Sequence, residues 1–194
     1  MFVMGVDPGL SRCGYGLVGS DDGAGLVAVC AGVIETDPEA PLPERLFIVH
    51  QELRALFFEH RPDAVAVERV FFQVNARTAM SVGQASGLAL VAAAELGCEV
   101  AQYTSNEVKQ ALVGYGSATK EQMQKMVAKV LRLAEVPRPP DVADALALAA
   151  CHLSTLPLRR AVDAARARSG PVAAPGAALA AALNRADAAA GARR

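Results

Sequence analysis

The stretch that decides the fold covers residues 2–34 and reads FVMGVDPGLSRCGYGLVGSDDGAGLVAVCAGVI. Three short runs in it are rich in apolar residues, mainly Val and Leu: 2–7, 14–19 and 26–34. Turn-forming residues separate the runs, since Pro8-Gly9 follows the first and the sequence SDDG follows the second. Apolar runs bounded by such residues are typical of strands joined by tight turns. The chain is therefore predicted to open with an antiparallel meander of three strands.

Downstream of the meander, helical and strand patterns alternate. The predicted elements are a helix with apolar positions from 46 to 60, a strand at 64–68, a helix at 75–96, a strand at 98–103, two helices opened by capping boxes at 104–107 and 119–122, and a helix from Pro140 to about Leu153. The order β-β-β-α-β-α-β-α-α-α predicts an α/β fold in which helices flank a mixed sheet.

The composition indicates one folded domain with an appendage. Hydrophobic residues make up 53% of the 194 residues, which excludes a generic disordered chain. Residues 157–194 are rich in Ala, contain no aromatic residue and carry seven Arg against two Asp. Such a segment buries too little apolar area to offset its ordering entropy. We therefore assign residues 1–156 to one domain and 157–194 to an unstructured tail.

The cysteines and the N-terminal residues bear on the cellular location. Cys13, Cys30, Cys98 and Cys151 are scattered without metal-ligand spacing and are interpreted as reduced core thiols. No basic region precedes an apolar one at the start, and no apolar run reaches the roughly 18 residues of a membrane span. A cytoplasmic protein is expected.

Two acidic residues stand at predicted strand ends. Asp7 ends the first strand beside Pro8-Gly9, and Glu68 ends the strand at 64–68. Strand ends of open sheets are where sites are built, and a carboxylate there is costly to bury unless it is paired or bound to metal. The alternatives are a turn-capping role for Asp7 and a solvated loop position for Glu68.

Two further acids share the start of the last predicted helix. Asp141 and Asp144 are three residues apart and so lie on the same helix face. Asp141 also suits a first helical turn for dipole reasons alone. Asp144, by contrast, lies in an apolar stretch next to a like charge, so we expect a positive group to neutralise the pair.

The four carboxylates together favour hard, oxygen-liganded cations. No His or Cys cluster accompanies them, so Mg²⁺ or Mn²⁺ is expected rather than zinc. Two such ions can activate a water and stabilise the leaving oxygen in phosphodiester hydrolysis. The acids alone leave the substrate open.

A basic stretch supplies groups that could bind phosphates. Its members are Lys109, Lys120, Lys125, Lys129, Arg132 and Arg138. A solvated helix face is the simpler interpretation of most of them, and the overall pI near 6.3 is low for a nucleic-acid-binding protein. Lys120 differs because it opens a helix directly after the glycine-containing loop 114–117, where backbone and helix amides favour anions.

Five motifs in unbroken order resemble the RuvC family of bacterial Holliday-junction resolvases. They are GVDPGLSRCGYG at 5–16, ERVF at 68–71, GQASG at 83–87, VGYGSATK at 113–120 and DVADALA at 141–147. The resemblance covers about residues 1–156 and does not extend to the tail.

The resemblance implies a ribonuclease-H-like fold and a homodimer that binds a four-way DNA junction. It implies Mg²⁺-dependent nicking of two symmetry-related strands during recombination and repair, with 5′-phosphate products, two ions per site and Mn²⁺ as a substitute. A branch-migration complex of RuvA and RuvB is the further partner that it implies.

The family's functional residues fall on seven positions of this sequence. The catalytic and metal-binding acids are Asp7, Glu68, Asp141 and Asp144, and the DNA-binding residues are Lys109, Lys120 and the wedging aromatic Phe71. Core packing is the alternative for Phe71, which adjoins Phe72. The small residues of helix 75–96 are either the dimer seam or an intrachain packing face.

Two other function classes compete with the nuclease. An actin-like ATP-binding module also begins with a strand, an Asp and a Gly, but it needs two lobes and a second phosphate loop, which this chain does not show. A non-catalytic junction-binding protein of the same fold would be expected to have lost an acid, whereas all four are present.

Overall fold

A five-stranded mixed sheet lies at the centre of the protein. The computed structural model describes residues 1–21, 25–69 and 76–169. The strands are β1 (Phe2–Asp7), β2 (Arg12–Asp21), β3 (Gly25–Glu35), β4 (Ala64–Glu68) and β5 (Glu99–Tyr103), and their order in the sheet is β3-β2-β1-β4-β5. The pairs β1–β2 and β2–β3 are antiparallel, whereas β1–β4 and β4–β5 are parallel. The predicted meander followed by parallel strands is confirmed.

Helices cover the sheet and match the predicted order. They are α1 (Leu42–His60), α2 (Ala76–Glu95), α3 (Ser105–Val113), α4 (Lys120–Val130) and α5 (Pro140–Ser169). Both predicted capping boxes form: the side chains of Thr104 and Thr119 accept from the amides of Glu107 and Gln122, whose side chains accept from the capping residues in return. These caps satisfy amides that α3 and α4 would otherwise leave unpaired.

The sheet separates two apolar core layers, as strand alternation requires. Val3 and the alanines of β4 pack with residues of α3, α4 and α5, whereas Met4 and the valines of β4 pack with residues of α1 and α2. All four cysteines are free. Cys13 and Cys151 are buried as predicted, but Cys30 and Cys98 are only half-buried.

Helix α5 approaches the sheet unusually closely because glycines face it. A Cβ added at Gly5 of β1 would clash with the carbonyl oxygen of Ala145, and one at Gly14 of β2 would clash with that of Asp141. The missing side chains therefore bring the first turns of α5 directly over β1 and β2. This contact positions the acids of α5 beside the strand ends.

Helix α5 also extends farther than predicted. It runs to Ser169 rather than to Leu153 and so enters the segment predicted to be an unstructured tail. Ala, Leu and Arg dominate the added residues and are strong helix formers, a preference that the argument from buried apolar area left out. The remaining tail residues, 170–194, lie outside the described part of the chain.

The chain divides into two compact units, Met1–Leu156 and Pro157–Arg194. The functional assignment of these units stays a prediction. In residues 1–21, 25–69 and 76–169, no helix is both long and apolar enough to cross a lipid bilayer. The cytoplasmic location likewise stays a prediction.

Candidate active site

Two acids meet at the carboxyl ends of neighbouring parallel strands. Val6 of β1 is the register partner of Val67 of β4, so the next residues, Asp7 and Glu68, leave the sheet side by side. β1 from Val3 onward and all of β4 are buried up to these acids, and both acids are half-buried. The predicted strand-end positions of Asp7 and Glu68 are therefore confirmed, and the sheet makes the two acids neighbours.

A cleft of about 420 Å³ opens at these strand ends. Its charged lining consists of three acids, Asp7, Glu68 and Asp144, and two lysines, Lys109 and Lys120. The other lining residues are Ser105, Val108, Met123, Ala147 and Leu148. Residues from β1, β4, α3, α4 and α5 thus converge on one cavity with both signs of charge.

Lys120 reaches the cleft because α3 ends and α4 begins beside it. Gly114, with φ of 90°, ends α3 in the left-handed conformation, and Thr119 caps α4, of which Lys120 is the first residue. The Nζ of Lys120 lies 2.9 Å from Oδ2 of Asp144. One cation thereby pairs with the acid that the sequence left without a partner.

Asp141 lies outside the lining of the cleft and has a different partner. Its Oδ2 accepts a hydrogen bond of 3.1 Å from Nε of Arg12, the first residue of β2. The expectation that positive groups neutralise Asp141 and Asp144 is therefore confirmed, with one cation for each. Sequence reasoning missed Arg12, because nothing in the spacing connects it to an acid 129 positions away.

Three residues of the cleft have shifted pKa values: Asp7, Glu68 and Lys120. Burial raises the pKa of Asp7 to about 7, and the negative charges of Glu68, Asp144 and Asp141 add to this shift. Burial also raises the pKa of Glu68, with a further contribution from Asp144, while a hydrogen bond with Asp7 opposes the rise. The hydrogen bond to Asp144 raises the pKa of Lys120. The positive charge of Lys120 lowers the pKa of Asp7 and of Glu68 but does not cancel the rise, so the two strand-end acids are only partly compensated.

The donor set suits a hard cation. Carboxylate oxygens are the ligands that Mg²⁺ and Mn²⁺ prefer. Burial and then repulsion by the neighbouring acids raise the pKa of Asp7, and a bound cation would relieve the repulsion. Within the described residues, no three acidic, histidine or cysteine side chains converge closely enough to form a ready-made metal cage. The acids fit the ion in chemistry and charge, and binding it requires their side chains to draw together.

The structure describes two of the three predicted DNA-binding residues. Lys109 and Lys120 both line the cleft, and their assignment as DNA-binding residues stays a prediction. Phe71 and its neighbour Phe72 lie outside the described residues. The assignment of Phe71 as a wedge therefore stays a prediction.

The mixed sheet, with acids at adjacent strand ends and on the helix above them, defines a nuclease of the ribonuclease-H-like class. The family model described as crossover junction endodeoxyribonuclease RuvC matches residues 3–152. A relative of that name from Salinispora arenicola (strain CNS-205) is 51% identical over 172 residues, which cover 88% of this chain and 98% of the relative. The chain therefore belongs to the RuvC family of crossover junction endodeoxyribonucleases.

Solved structures agree with this assignment. Thermus thermophilus RuvC in complex with Holliday junction substrate is 40% identical, with a TM-score of 0.78 over 82% of this chain and 96% of that one. The yeast mitochondrial Holliday junction resolvase Ydc2 shares the fold at 12% identity, with a TM-score of 0.59 over 78% of this chain and 77% of that one.

Family membership decides between the function classes that the sequence left open. The chain is a junction-resolving endonuclease, and the predicted role in resolving Holliday junctions during recombination and repair is confirmed at the level of the family. The actin-like alternative is excluded. Divalent metal use is consistent with this class of nuclease.

Proposed function

We propose that Asp7, Glu68, Asp141 and Asp144 form a magnesium-dependent phosphodiesterase site that nicks four-way DNA junctions. The observation that carries this proposal is the convergence of three of these acids, from β1, β4 and α5, in one cleft with Lys109 and Lys120. Asp141 lies one helical turn before Asp144, and its negative charge contributes to the raised pKa of Asp7. We assign all four acids to cation binding, with two ions per site and Mn²⁺ as a substitute.

The chain's own residues orient the reaction. When bound, the ions supply an activated water and stabilisation of the leaving oxygen, which yields 5′-phosphate ends. Asp7 and Glu68 are held by the ends of two buried strands, so their backbone positions are rigid. Lys120 pairs with Asp144 and lines the cleft, and we assign it to offset the negative charge of the scissile phosphate.

Substrate binding is assigned to the lysines and to Phe71. Lys109 and Lys120 are point charges that suit phosphate oxygens, and they position the strand without reading its sequence. The Thermus thermophilus relative in complex with a Holliday junction supports a four-way junction as the DNA partner. Phe71 follows β4 three residues after Glu68, and an apolar side chain there would hold distorted DNA open near the cut.

A homodimer would supply the two cuts. In α2, a Cβ added at Gly83 or Gly87 would meet no atom of the described residues within 4 Å, so packing within that part of the chain does not account for these glycines. Met80 and Val91 of the same helix are 65% and 51% exposed. These observations support α2 as the seam of a two-fold dimer, which would present two identical sites to a two-fold symmetric junction. The RuvA–RuvB complex is proposed as the further partner.

Cleavage of defined DNA tests the proposal. The full chain is incubated with a synthetic four-way junction and with a linear duplex of the same sequence, with and without Mg²⁺. We expect paired nicks in the junction only, and only with the ion. Tight junction binding without cutting at any Mg²⁺ or Mn²⁺ concentration would contradict the assignment of the four acids to a metal-dependent site. A monomer at cutting concentrations, measured by light scattering, would contradict the dimer.

A further inference from the structure

The guanidinium of Arg12 connects Asp141 of α5 to β3, an edge strand of the sheet. Arg12 stands directly opposite Glu35 in the ladder between β2 and β3. Its Nη1 donates to Oε1 of Glu35 at 2.8 Å, and its Nε donates to Oδ2 of Asp141 at 3.1 Å. Arg12 is therefore held from one side while it holds Asp141 on the other.

The backbone explains why Arg12 reaches Asp141. Gly14 faces the first turn of α5, and residues two apart on a strand point to the same face of the sheet. Arg12 thus extends toward the same turn that Gly14 allows to approach. The planar guanidinium makes two directed hydrogen bonds, which restrict the orientation of the carboxylate that it contacts.

Stability alone does not account for this arrangement. The side chains of Arg12, Asp141 and Glu35 are 43%, 27% and 65% exposed. Ion pairs this exposed contribute at most about 1 kcal/mol to folding. The larger consequence of the contact is the direction that it gives to Asp141, because Arg12 engages Oδ2 and leaves Oδ1 to another ligand.

We propose that Arg12 is a positioning residue of the active site, which fixes the Asp141 carboxylate for a divalent cation while Glu35 fixes Arg12. The inference rests on the proposed function, in which Asp141 is a cation ligand. Outer residues that hydrogen-bond a ligating carboxylate typically contribute 10- to 100-fold to metal affinity. The sign of the effect is diagnostic. If Arg12 acted only through its charge, its removal would strengthen cation binding, whereas loss of positioning weakens it.

Mn²⁺ binding to the DNA-free full chain tests the proposal, with free Mn²⁺ followed by electron paramagnetic resonance. We expect Arg12→Ala to weaken Mn²⁺ binding about 10- to 100-fold. Arg12→Lys should recover part of the loss, because the ammonium keeps one hydrogen bond but not the fork. Glu35→Gln should weaken binding less than Arg12→Ala. On an Asp141→Asn background, Arg12→Ala should have little further effect, because the two residues act as a unit.

The matched control is Arg54→Ala. Arg54 of α1 pairs with Glu95 of α2 through Nε at 3.2 Å, an arginine–carboxylate contact of similar exposure away from the cleft. Arg54→Ala should leave Mn²⁺ binding unchanged. Both arginine variants should keep a metal-free unfolding free energy within about 1 kcal/mol of wild type, which separates positioning from stability.

The outcomes distinguish this inference from the function on which it rests. If Asp7→Asn binds Mn²⁺ as well as wild type, the proposed metal site is wrong and the role of Arg12 falls with it. If Asp7→Asn loses Mn²⁺ but Arg12→Ala binds it equally or more tightly, the metal site stands and the positioning role of Arg12 is overturned.

Discussion

The two strand-end acids and the two helix acids differ in how their charge is compensated. Asp141 and Asp144 of α5 each contact a cation from elsewhere in the chain, Arg12 and Lys120. Asp7 and Glu68 have no ion-pair partner within the described residues, and burial raises the pKa of both. Lys120 offsets the rise for both strand-end acids only in part. The chain thus gives each helix acid an ion-pair partner and leaves the strand-end acids incompletely compensated.

The difference teaches where an added cation acts most strongly. A divalent ion gains most where carboxylates repel one another in a buried place and have no ion-pair partner of their own. The helix acids keep their orientation without the ion because Arg12 and Lys120 hold them. We therefore interpret the strand ends as the charge centre of the site and the helix acids as its pre-oriented rim.

Asp7→Asn is the change with the largest expected effect, since it removes the central ligand. We expect junction cutting to fall about 10³-fold or more, because several kcal/mol of transition-state stabilisation depend on the bound ions. Junction binding should persist, because the basic contacts remain. Nicking and gel-shift assays on the same preparation measure both quantities.

The matched control for Asp7→Asn is Glu99→Gln, which removes an exposed carboxylate at the opposite end of the parallel strands. Its cutting rate should equal that of wild type. Full cutting by Asp7→Asn would show that the strand-end acids are not the centre of the site.

Lys120→Ala removes the cation that pairs with Asp144 and should have the next largest effect on cutting. The cutting rate at saturating junction should fall about 10- to 100-fold, equivalent to about 1.4–2.7 kcal/mol, because Asp144 loses its cation and the scissile phosphate loses a positive neighbour. The slope of log affinity against log salt should also decrease by about 0.9.

Lys125→Ala is the control on the same helix. Lys125 is exposed and pairs with Glu121 at 2.7 Å rather than with a cleft acid, so its loss should leave the cutting rate unchanged. An equal loss of rate in the two variants would indicate that helix charge in general, and not the Asp144 contact, is responsible.

The third prediction concerns the pH dependence of stability in the metal-free protein. Because the folded chain raises the pKa of Asp7 from 3.8 to about 7, it binds this proton more tightly than the unfolded chain does. The resulting stabilisation is full below about pH 4 and is lost as the pH rises through about 7. Relative to Asp7→Asn, wild type should lose on the order of 2 kcal/mol between pH 5 and 8.

Chemical denaturation at several pH values measures this loss. Saturating Mg²⁺ should abolish the difference between wild type and Asp7→Asn in pH dependence, because the cation takes the place of the proton. A pH-independent difference without metal would contradict the picture of an incompletely compensated strand-end acid.

Most of the fold was predictable because local patterns and packing agree. The runs at 2–7 and 64–68 are apolar up to a single terminal acid, and the boxes at Thr104 and Thr119 start α3 and α4 as their spacing requires. The end of α5 was not predicted, because low apolar content does not reveal the helix preference of Ala, Leu and Arg in this segment.

The site was predictable in its acids and less so in its cations. Strand ends and a three-residue helical spacing place acids without knowledge of tertiary contacts, whereas the identity of the compensating cation depends on which loops approach. Lys120 could be found because it follows a glycine-containing loop. Arg12 could not, since its contact with Asp141 arises from the close packing of α5 on Gly14.

The smallest expected effect belongs to Lys109→Ala, which sharpens the comparison between lysines of one cleft. Lys109 lines the cleft but makes no ion pair with an acid in the described part of the chain, unlike Lys120. Its removal should therefore reduce the salt slope of junction binding by about 0.9 and leave the rate at saturating junction within about twofold of wild type. A rate loss as large as that of Lys120→Ala would mean that Lys109 acts on the reacting phosphate itself. An unchanged slope together with an unchanged rate would indicate that Lys109 is an ordinary solvated lysine. Lys120 would then be the cleft lysine that contacts DNA.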